Sequence, residues 1–290
     1  MNTNKLAILI PAYKSDFFDK TLSSIAAQTD KRFNVYIGND NGDIKIETIA
    51  NKYRDILNIT YRYFNKNLGG KNLVAHWNRV VAMMSNEEYF MLFSDDDYMD
   101  PTCVEKFYNY IKLEKRVNVY HFNINIVDNF GKIIATPKPF PKILSFKKFF
   151  CDILMRHKGE ARMPEFVFRK ENFISNGGFV NFPMAMRSDN ATVMLNCRAD
   201  GIMTIQGANI YWRQSNKSVS STINQSREKV SKMLIVDIQY FNWLQDNFGA
   251  SLGLYARAIA TLKIIKQFFT PKTNFTFMEK IRLFRSLKLL

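Results

Sequence analysis

Short apolar runs alternate with amphipathic stretches along residues 1–130. Each apolar run predicts a buried strand, and these runs lie at residues 6–10, 33–38, 59–64, 89–93 and 117–127. Apolar residues recur at helical spacing between them, at residues 16–29, 46–57, 71–84 and 101–113. Strands that alternate with helices favour βαβ units and a mostly parallel sheet, so the sequence predicts an α/β fold. Right-handed crossovers would bring the loops that follow the strands to one edge of that sheet.

The pattern is less regular after residue 130. Residues 136–142 contain three prolines and are typical of a loop. The remaining predicted elements are a short helix at 145–152, a strand at 165–169, a helix at 188–199 and two short strands at 202–205 and 209–212. Residues 213–226 are polar, and we expect them to be mobile.

The chain changes character towards its end. A helix is predicted at residues 228–247, and two amphipathic helices flank residues 270–276. Residues 253–290 carry eight lysines or arginines against one acid, Glu279. The sequence therefore predicts a basic, helical C-terminal extension.

Three consecutive carboxylates, Asp95, Asp96 and Asp97, follow the predicted strand at residues 89–93. Crowded carboxylates repel one another and lose hydration unless a cation neutralises them. A divalent metal ion with oxygen ligands, often one that also holds a phosphate, meets that need. Ligands in open α/β sheets bind outside the carboxyl ends of the strands, where these residues are expected. We therefore predict a metal site here, with a solvated acidic turn as the alternative.

Other strand ends bring further candidates to the same edge. They are Pro11, Ala12 and Tyr13 after the first strand, Asp40 after the second and Lys71 after the third. Asp40 can accept a hydrogen bond from a base or a ribose hydroxyl. Lys71 is predicted to open a helix, where its charge and the free N–H groups suit an anion. An ordinary turn for Asp40 and a solvated position for Lys71 are the alternatives.

Composition narrows the class of protein. The chain has 290 residues, of which 47% are hydrophobic, and this is enough for one large domain or for a domain with an appendage. No run approaches the about 18 apolar residues of a membrane span, and the N-terminus does not resemble a signal peptide, so we expect a cytoplasmic protein. The three cysteines and three histidines show neither disulfide nor zinc-ligand spacing. The glycine spacings of P-loop and dinucleotide-binding proteins are absent too.

The formal net charge of +15 favours anionic partners. Nucleic acid, acidic lipid and phosphorylated ligands all satisfy that preference. No recognisable nucleic-acid-binding motif accompanies the charge, so we expect no nucleic-acid partner.

Two segments resemble glycosyltransferase family 2, the inverting nucleotide-sugar transferases with a GT-A fold. The first is IPAYKSDFFDKTLSSIAAQT, at residues 10–29, and the second is FSDDDYMDP, at residues 93–101. An aspartate-containing turn lies between them, and the resemblance extends over about residues 5–221. It implies a Rossmann-like central sheet flanked by helices. It also implies transfer of a sugar from a nucleotide-sugar donor.

The resemblance implies roles for individual residues. The candidate donor-binding residues are Pro11, Ala12, Tyr13, Asp40, Lys71, Asp95 and Arg213. Asp96 would hold a Mn²⁺ or Mg²⁺ ion, with Asp97 as a second candidate ligand. Asp189 stands where the family keeps the base that takes the proton from the acceptor hydroxyl. Asn39, Ser94 and Ser188 occupy positions where the family usually has acids.

The expected function is metal-dependent, inverting transfer of a sugar, with a UDP-sugar as the favoured donor. A saccharide or a lipid-linked saccharide in surface polysaccharide synthesis is the expected acceptor. The alternative is a GT-A-like protein that binds a nucleotide or a glycan without turnover.

The expected catalytic domain spans residues 1–221, with a nucleotide-binding half at about 1–115 and an acceptor half at about 116–221. Residues 222–290 would form the basic extension. Three interpretations of that extension stay open: it lies on an acidic membrane surface, it packs against a second copy of the chain in a homodimer, or it completes the domain. The first would make the protein peripheral on the inner face of the membrane.

Overall fold

The computed structural model describes residues 4–113, 117–157, 161–214, 227–268 and 275–287. These residues form one ten-stranded mixed sheet with helices on both faces. The strands are β1 Leu6–Ala12, β2 Phe33–Asn39, β3 Ile59–Tyr63, β4 Tyr89–Leu92, β5 Tyr98–Met99, β6 Val119–Val127, β7 Ile133–Ala135, β8 Ile143–Leu144, β9 Phe166–Arg169 and β10 Ile202–Arg213. The α-helices are α1 Phe18–Ala26, α2 Lys45–Asn51, α3 Leu73–Val81, α4 Cys103–Leu113, α5 Phe146–Lys148, α6 Lys170–Ser175, α7 Ser188–Asn196, α8 Arg227–Phe268 and α9 Phe277–Arg285.

The first four strands pair in parallel, as their alternation with helices predicts. Strand β1 lies between β2 and β4, and β3 pairs with the outer side of β2. All four carboxyl ends therefore meet at one edge of the sheet, which confirms the predicted convergence.

The second half of the sheet is mixed. Strand β9 lies between β4 and β6 and is antiparallel to both. Strand β10 runs parallel to β6, and β5 and β8 pair antiparallel with β10. The described main path of the sheet is therefore β3-β2-β1-β4-β9-β6-β10-β5.

Successive side chains of a strand point to opposite faces, and β1 supplies both halves of the core in this way. Ala7 and Leu9 belong to one hydrophobic cluster, whereas Leu6, Ile8 and Ile10 belong to the other. All five are at most 1% exposed. A strand buried on both faces explains why this run is continuously apolar rather than alternating.

The irregular region differs from the sequence prediction in three ways. Residues 202–213 form one strand with a register shift between Ile205 and Asn209, not two strands. Residues 149–155 form a π-helix that follows the short α5, where the sequence predicts one short helix at 145–152. Strands β7 and β8, like β5 earlier in the chain, are two or three residues long, too short to leave a periodic signal in the sequence.

The C-terminal helices pack against the sheet domain. Leu234, Phe241, Leu244 and Phe248 of α8 are buried in the same cluster as residues of β4, β9 and α7. Helix α8 is interrupted at Gly253, whose φ is 73°. None of the described helices combines the length and apolar character needed to cross a bilayer. The predicted boundary at residue 221 stays a prediction.

Candidate active site

A cleft of about 650 Å³ opens where strands β1, β2 and β4 end. It brings together seven of the candidate residues: Pro11, Tyr13, Asp40, Asp95, Asp96, Asp189 and Arg213. Three other candidates, Ala12, Lys71 and Asp97, are not part of the lining. Residues from both predicted halves of the domain therefore face one cavity.

The three aspartates of the acidic turn have different surroundings. Asp95 Oδ2 accepts hydrogen bonds from the backbone N–H groups of Tyr13 and Lys14, both at 2.8 Å. Asp97 is completely buried and its Oδ1 accepts from the backbone N–H of Arg213 at 2.8 Å. Asp96 lies between them and lines the cleft. The structure therefore presents Asp96, and not Asp97, to a ligand.

Burial is the largest influence on the pKa values of this turn. It raises the pKa of Asp95 and of Asp97, against the hydrogen bonds that each carboxylate accepts. Burial and then repulsion from Asp95 raise the pKa of Asp96 to about 7. A cation beside Asp96 would offset both costs, since it favours the charged form of the carboxylate.

Arg213 supports the acidic turn. Its side chain is buried, with Nε donating to the backbone oxygen of Asp96 at 3.0 Å and Nη1 to that of Asp128 at 2.7 Å. Its guanidinium also lies 4.1 Å from the ring centroid of Phe17. The expected role of Arg213 in donor binding stays a prediction, because Nε and Nη1 donate here to the backbone oxygens of Asp96 and Asp128. Residues 215–226 of the polar segment that follows Arg213 lie outside the described residues.

Asp40 fixes the loop that follows β3. It is 2% exposed, and its carboxylate accepts from the backbone N–H groups of Leu68 at 2.8 Å and Gly69 at 2.6 Å. The Arg79 guanidinium pairs with the same carboxylate. A nucleoside that used Asp40 would have to share or replace these bonds, so its expected role stays a prediction. The sequence gives no signal for Arg79, since its partner is far away in the chain.

His76 of helix α3 is buried beside Asp40, with its Nδ1 4.0 Å from Asp40 Oδ1. It is 2% exposed, its Nδ1 accepts from Arg79 Nε at 2.9 Å, and its ring meets Phe64 edge-on. Burial lowers the pKa of His76 to about 4. The imidazole is therefore neutral at pH 7 and supports Asp40 and Arg79.

Ala12 and Lys71 lie outside the cleft, as Asp97 does. Ala12 is fully buried at the end of β1. Lys71 is exposed, and Asn72 rather than Lys71 caps helix α3, with its side chain accepting from the Ala75 N–H at 3.0 Å. The prediction that Lys71 opens the helix is therefore wrong: α3 begins at Leu73, directly after the capping Asn72. The expected anion-binding role of Lys71 stays a prediction.

Asp189 lies in the first turn of α7 and lines the same cleft as Asp95 and Asp96. Its Oδ1 accepts from the Asn190 N–H at 2.7 Å. Burial raises the pKa of Asp189, and the Asn190 N–H and the charges of Arg187 and Arg162 oppose that shift. The neighbouring Ser188 is fully buried and its Oγ accepts from the Phe182 N–H at 3.0 Å. Ser188 thus anchors the preceding segment instead of supplying a second carboxylate.

Two arginines in the cleft were not predicted from the sequence. Arg162 stacks on Trp212, with its guanidinium 3.6 Å from the ring centroid. Arg187 donates from Nε to Asp237 Oδ1 of α8 at 2.7 Å. Each partner is distant in sequence, so only the fold reveals these pairs.

The residues of the acidic turn fit a hard divalent cation that shares its ligands with a substrate. The described residues contain no group of three or more His, Cys, Asp or Glu arranged around one metal position. Mg²⁺ is commonly held by one or two carboxylates plus substrate phosphates and water. Asp96 in the cleft, with Asp95 beside it, supplies that kind of partial ligand set.

The sequence model of glycosyl transferase family 2 matches residues 7–170, more than half of the chain. The chain belongs to this family. The predicted family and its transferase class are thereby confirmed. An uncharacterised glycosyltransferase of Rickettsia typhi is 28% identical over 136 residues, which are 46% of this chain and 41% of that protein. The match thus spans about two fifths of that relative's length.

Solved structures share the fold. S. aureus TarS 1–349 in complex with UDP-GlcNAc has a TM-score of 0.65 at 17% identity, covering 91% of this chain and 80% of that chain. The mannosyltransferase PcManGT from Pyrobaculum calidifontis, in complex with GDP-Man and Mn²⁺, has a TM-score of 0.54 at 11% identity, covering 98% and 79%. These likenesses confirm the GT-A fold.

Proposed function

We propose that this transferase moves a sugar from a nucleotide-sugar, with a UDP-sugar favoured, to a hydroxyl of a saccharide or lipid-linked saccharide acceptor. The observation that carries the proposal is the placing of Asp96 and Asp189 in one cleft at the carboxyl edge of the sheet. Support for the donor class comes from the solved relatives, whose bound ligands are UDP-GlcNAc and GDP-Man. A role in surface polysaccharide synthesis is part of the proposal.

In the proposed reaction, Asp189 takes the proton from the attacking acceptor hydroxyl. Its raised pKa makes the carboxylate a stronger base, and a positioned base typically contributes ~10²–10⁴-fold to the rate. One attack by the acceptor on the sugar carbon, with one departure of the nucleotide, inverts the configuration at that carbon. Asp189 needs no second carboxylate for this, which agrees with the structural role of Ser188.

Asp96, with Asp95 beside it, would hold a Mn²⁺ or Mg²⁺ ion together with the donor diphosphate. Such an ion supplies Lewis-acid stabilisation of the charge that develops on the leaving diphosphate. Asp95 accepts from the N–H groups of Tyr13 and Lys14, which directly follow β1, so it holds the acidic turn against the end of that strand. Tyr13, which is 49% exposed, offers its ring to the nucleoside.

Thermal stabilisation by UDP-, GDP- and dTDP-sugars, with and without Mn²⁺, identifies the donor, since a ligand that binds the native state raises its stability. Transfer is then measured with that donor for the parent, Asp96→Asn, Asp189→Asn and the control Asp55→Asn. Asp55 is exposed and lies outside the cleft. We expect Asp189→Asn to bind the donor and lose transfer, and Asp96→Asn to lose the Mn²⁺-dependent stabilisation.

An Asp189→Asn protein that transfers sugar at the parent rate would refute the assignment of the base. A parent protein that binds a donor and never releases its nucleotide would instead support a binding function without turnover. Salt-sensitive binding of DNA or RNA by a parent that binds no nucleotide-sugar would refute the donor class altogether.

We also propose that the last helix contacts an acidic membrane surface. Phe277 and Met278 of α9 are 75% and 61% exposed, and Arg282 and Arg285 of the same helix are exposed too. The buried Leu287 supports the interpretation that part of this segment completes the domain. A double substitution, Phe277→Ser with Met278→Ser, tests membrane binding without cutting into α8. Unchanged co-sedimentation with anionic vesicles would refute the membrane contact, and concentration-dependent dimerisation would favour the homodimer.

A further inference from the structure

The segment that leads into α7 has an unusual backbone. Met184, Ala185 and Arg187 have φ values of 59°, 55° and 66°, all in the left-handed region that non-glycine residues rarely adopt. All three line the cleft, directly before Asp189. Backbone of this kind persists only where the surroundings hold it, and it clusters at functional sites. The question is therefore which contacts hold residues 184–187.

The contacts come from the C-terminal helix α8. Arg187 Nε donates to Asp237 Oδ1 at 2.7 Å, and the two side chains are only 22% and 6% exposed. A charge-assisted bond with so little solvent is stronger than a surface pair, and breaking it leaves a charge without its partner. At the other end of the segment, Phe182 packs edge-on against Tyr240 and Trp243, with centroids 5.8 and 6.0 Å apart. Helix α8 therefore contacts both ends of residues 182–187, at Phe182 and at Arg187.

The ion pair lies one residue away from the first turn of the helix that carries the proposed base. Arg187 is the N-cap residue of α7, and Asp189 is in its first turn. A change in the backbone at Arg187 therefore changes the direction in which the Asp189 carboxylate enters the cleft. Asp237 lies far outside residues 7–170, which the family model matches.

We propose that Asp237 is a positioning residue for the transfer reaction, and that it acts through Arg187 to orient Asp189. This inference rests on the proposed function, because it takes Asp189 as the base. Helix α8 is thus part of the active site's support, in addition to any role of the basic extension at a membrane. Asp237 itself is not among the residues that line the cleft.

The test compares Asp237→Ala, Asp237→Asn and Asp237→Glu in the full chain, with Glu228→Gln as the matched control. Glu228 pairs with Lys232 on the same helix at 2.7 Å, but both side chains are more than half exposed. We expect kcat to fall ~10²-fold in Asp237→Ala, because a displacement of about 1 Å at a catalytic group has effects of that size. The donor KM and the donor Kd should stay at the parent values, since the donor side of the cleft is untouched. Asp237→Glu should restore most of kcat, and Asp237→Asn should fall between Glu and Ala.

Parent-like kcat in Asp237→Ala, or an equal loss of kcat and of donor binding, would overturn the inference. If Asp237→Ala does not fold, Asp237→Asn decides: reduced kcat with unchanged donor Kd supports the inference, and parent-like kcat overturns it. A parent that transfers no sugar means that the proposed function fails and this inference fails with it. A parent that transfers sugar, beside a fully active Asp237→Ala, means that only the positioning role is wrong.

Discussion

Gly42 offers a sharp test of how the donor edge of the cleft is built. A Cβ added at this position would lie 2.2 Å from the backbone oxygen of Tyr13 and 2.7 Å from its Cα. Contacts below 3.0 Å are not tolerated, so Gly42→Ala must separate the turn after β2 from the end of β1 by roughly 0.8 Å or more. Gly42 is not in the left-handed region, so alanine adds the clash without backbone strain.

The consequences follow from what Tyr13 touches. Its backbone oxygen accepts from the Asp43 N–H at 3.1 Å, and its own N–H donates to Asp95. Overpacking of this kind typically costs ~1–3 kcal/mol, which for a chain of this size lowers Tm by about 2–10 °C. The shift also reaches Tyr13 and the acidic turn, so we expect weaker donor binding in addition to lower stability.

The assay is thermal unfolding with and without a UDP-sugar and Mn²⁺. Gly249→Ala is the matched control, because Gly249 lies within α8 and its added Cβ meets only Gln245 Oε1, at 3.4 Å. Alanine in a helix interior gains about 0.5–1 kcal/mol over glycine, so this variant should be slightly more stable and bind the donor normally. A Gly42→Ala protein with the parent Tm and the parent donor shift would show that β1 and the turn do not need this close approach.

Three further predictions concern charge. Activity should fall as pH drops through the raised pKa of Asp189, because only the ionised carboxylate is a base. The charge of Arg187 lowers that pKa, so in Arg187→Gln the fall of kcat at acidic pH should begin at a higher pH than in the parent. His76 has a pKa of about 4 in the folded protein against 6.5 in a model peptide, so its contribution to stability is present above pH 6.5 and is lost as pH falls to about 4. Urea unfolding should therefore show the parent losing up to ~3 kcal/mol more than His76→Gln over that range. Arg213→Lys should cost ~1.5–3 kcal/mol of stability and weaken Mn²⁺-dependent donor binding, because an ammonium cannot reach both backbone oxygens that the guanidinium holds; parent-like unfolding and donor binding would contradict this.

The sequence is most informative where a structural feature depends only on neighbouring residues of the chain. The apolar run at residues 6–10 predicts β1 because a strand buried on both faces has no polar position. The acidic turn is also visible in the sequence, because three adjacent carboxylates behind a buried strand repel one another and lose hydration unless a cation neutralises them. Local patterns of this kind are enough for the α/β class and for the edge that carries the cleft, whereas the GT-A fold was implied by the resemblance of residues 10–29 and 93–101 to the family.

Contacts between distant segments could not be predicted. Asp96 and Asp97 are adjacent and have identical side chains. The Asp97 carboxylate accepts from the Arg213 N–H, and this contact with a distant strand holds it away from the cleft. The bond between Arg187 and Asp237 likewise depends on where α8 packs. Apolar periodicity places the start of α3 at Lys71, whereas Asn72 caps the helix and Leu73 begins it. Periodicity alone defines helix boundaries poorly.

The position of β9 has a consequence for synthesis of the chain. Strand β9, Phe166–Arg169, fills the centre of the sheet between β4 and β6, yet it is made long after β4. A nascent chain that ends before residue 166 therefore exposes the backbone edge of β4 to solvent and to other nascent chains. We expect the growing chain to need a chaperone between the synthesis of β4 and that of β9. The family match ends at residue 170, one residue beyond β9, the strand that covers the edge of β4.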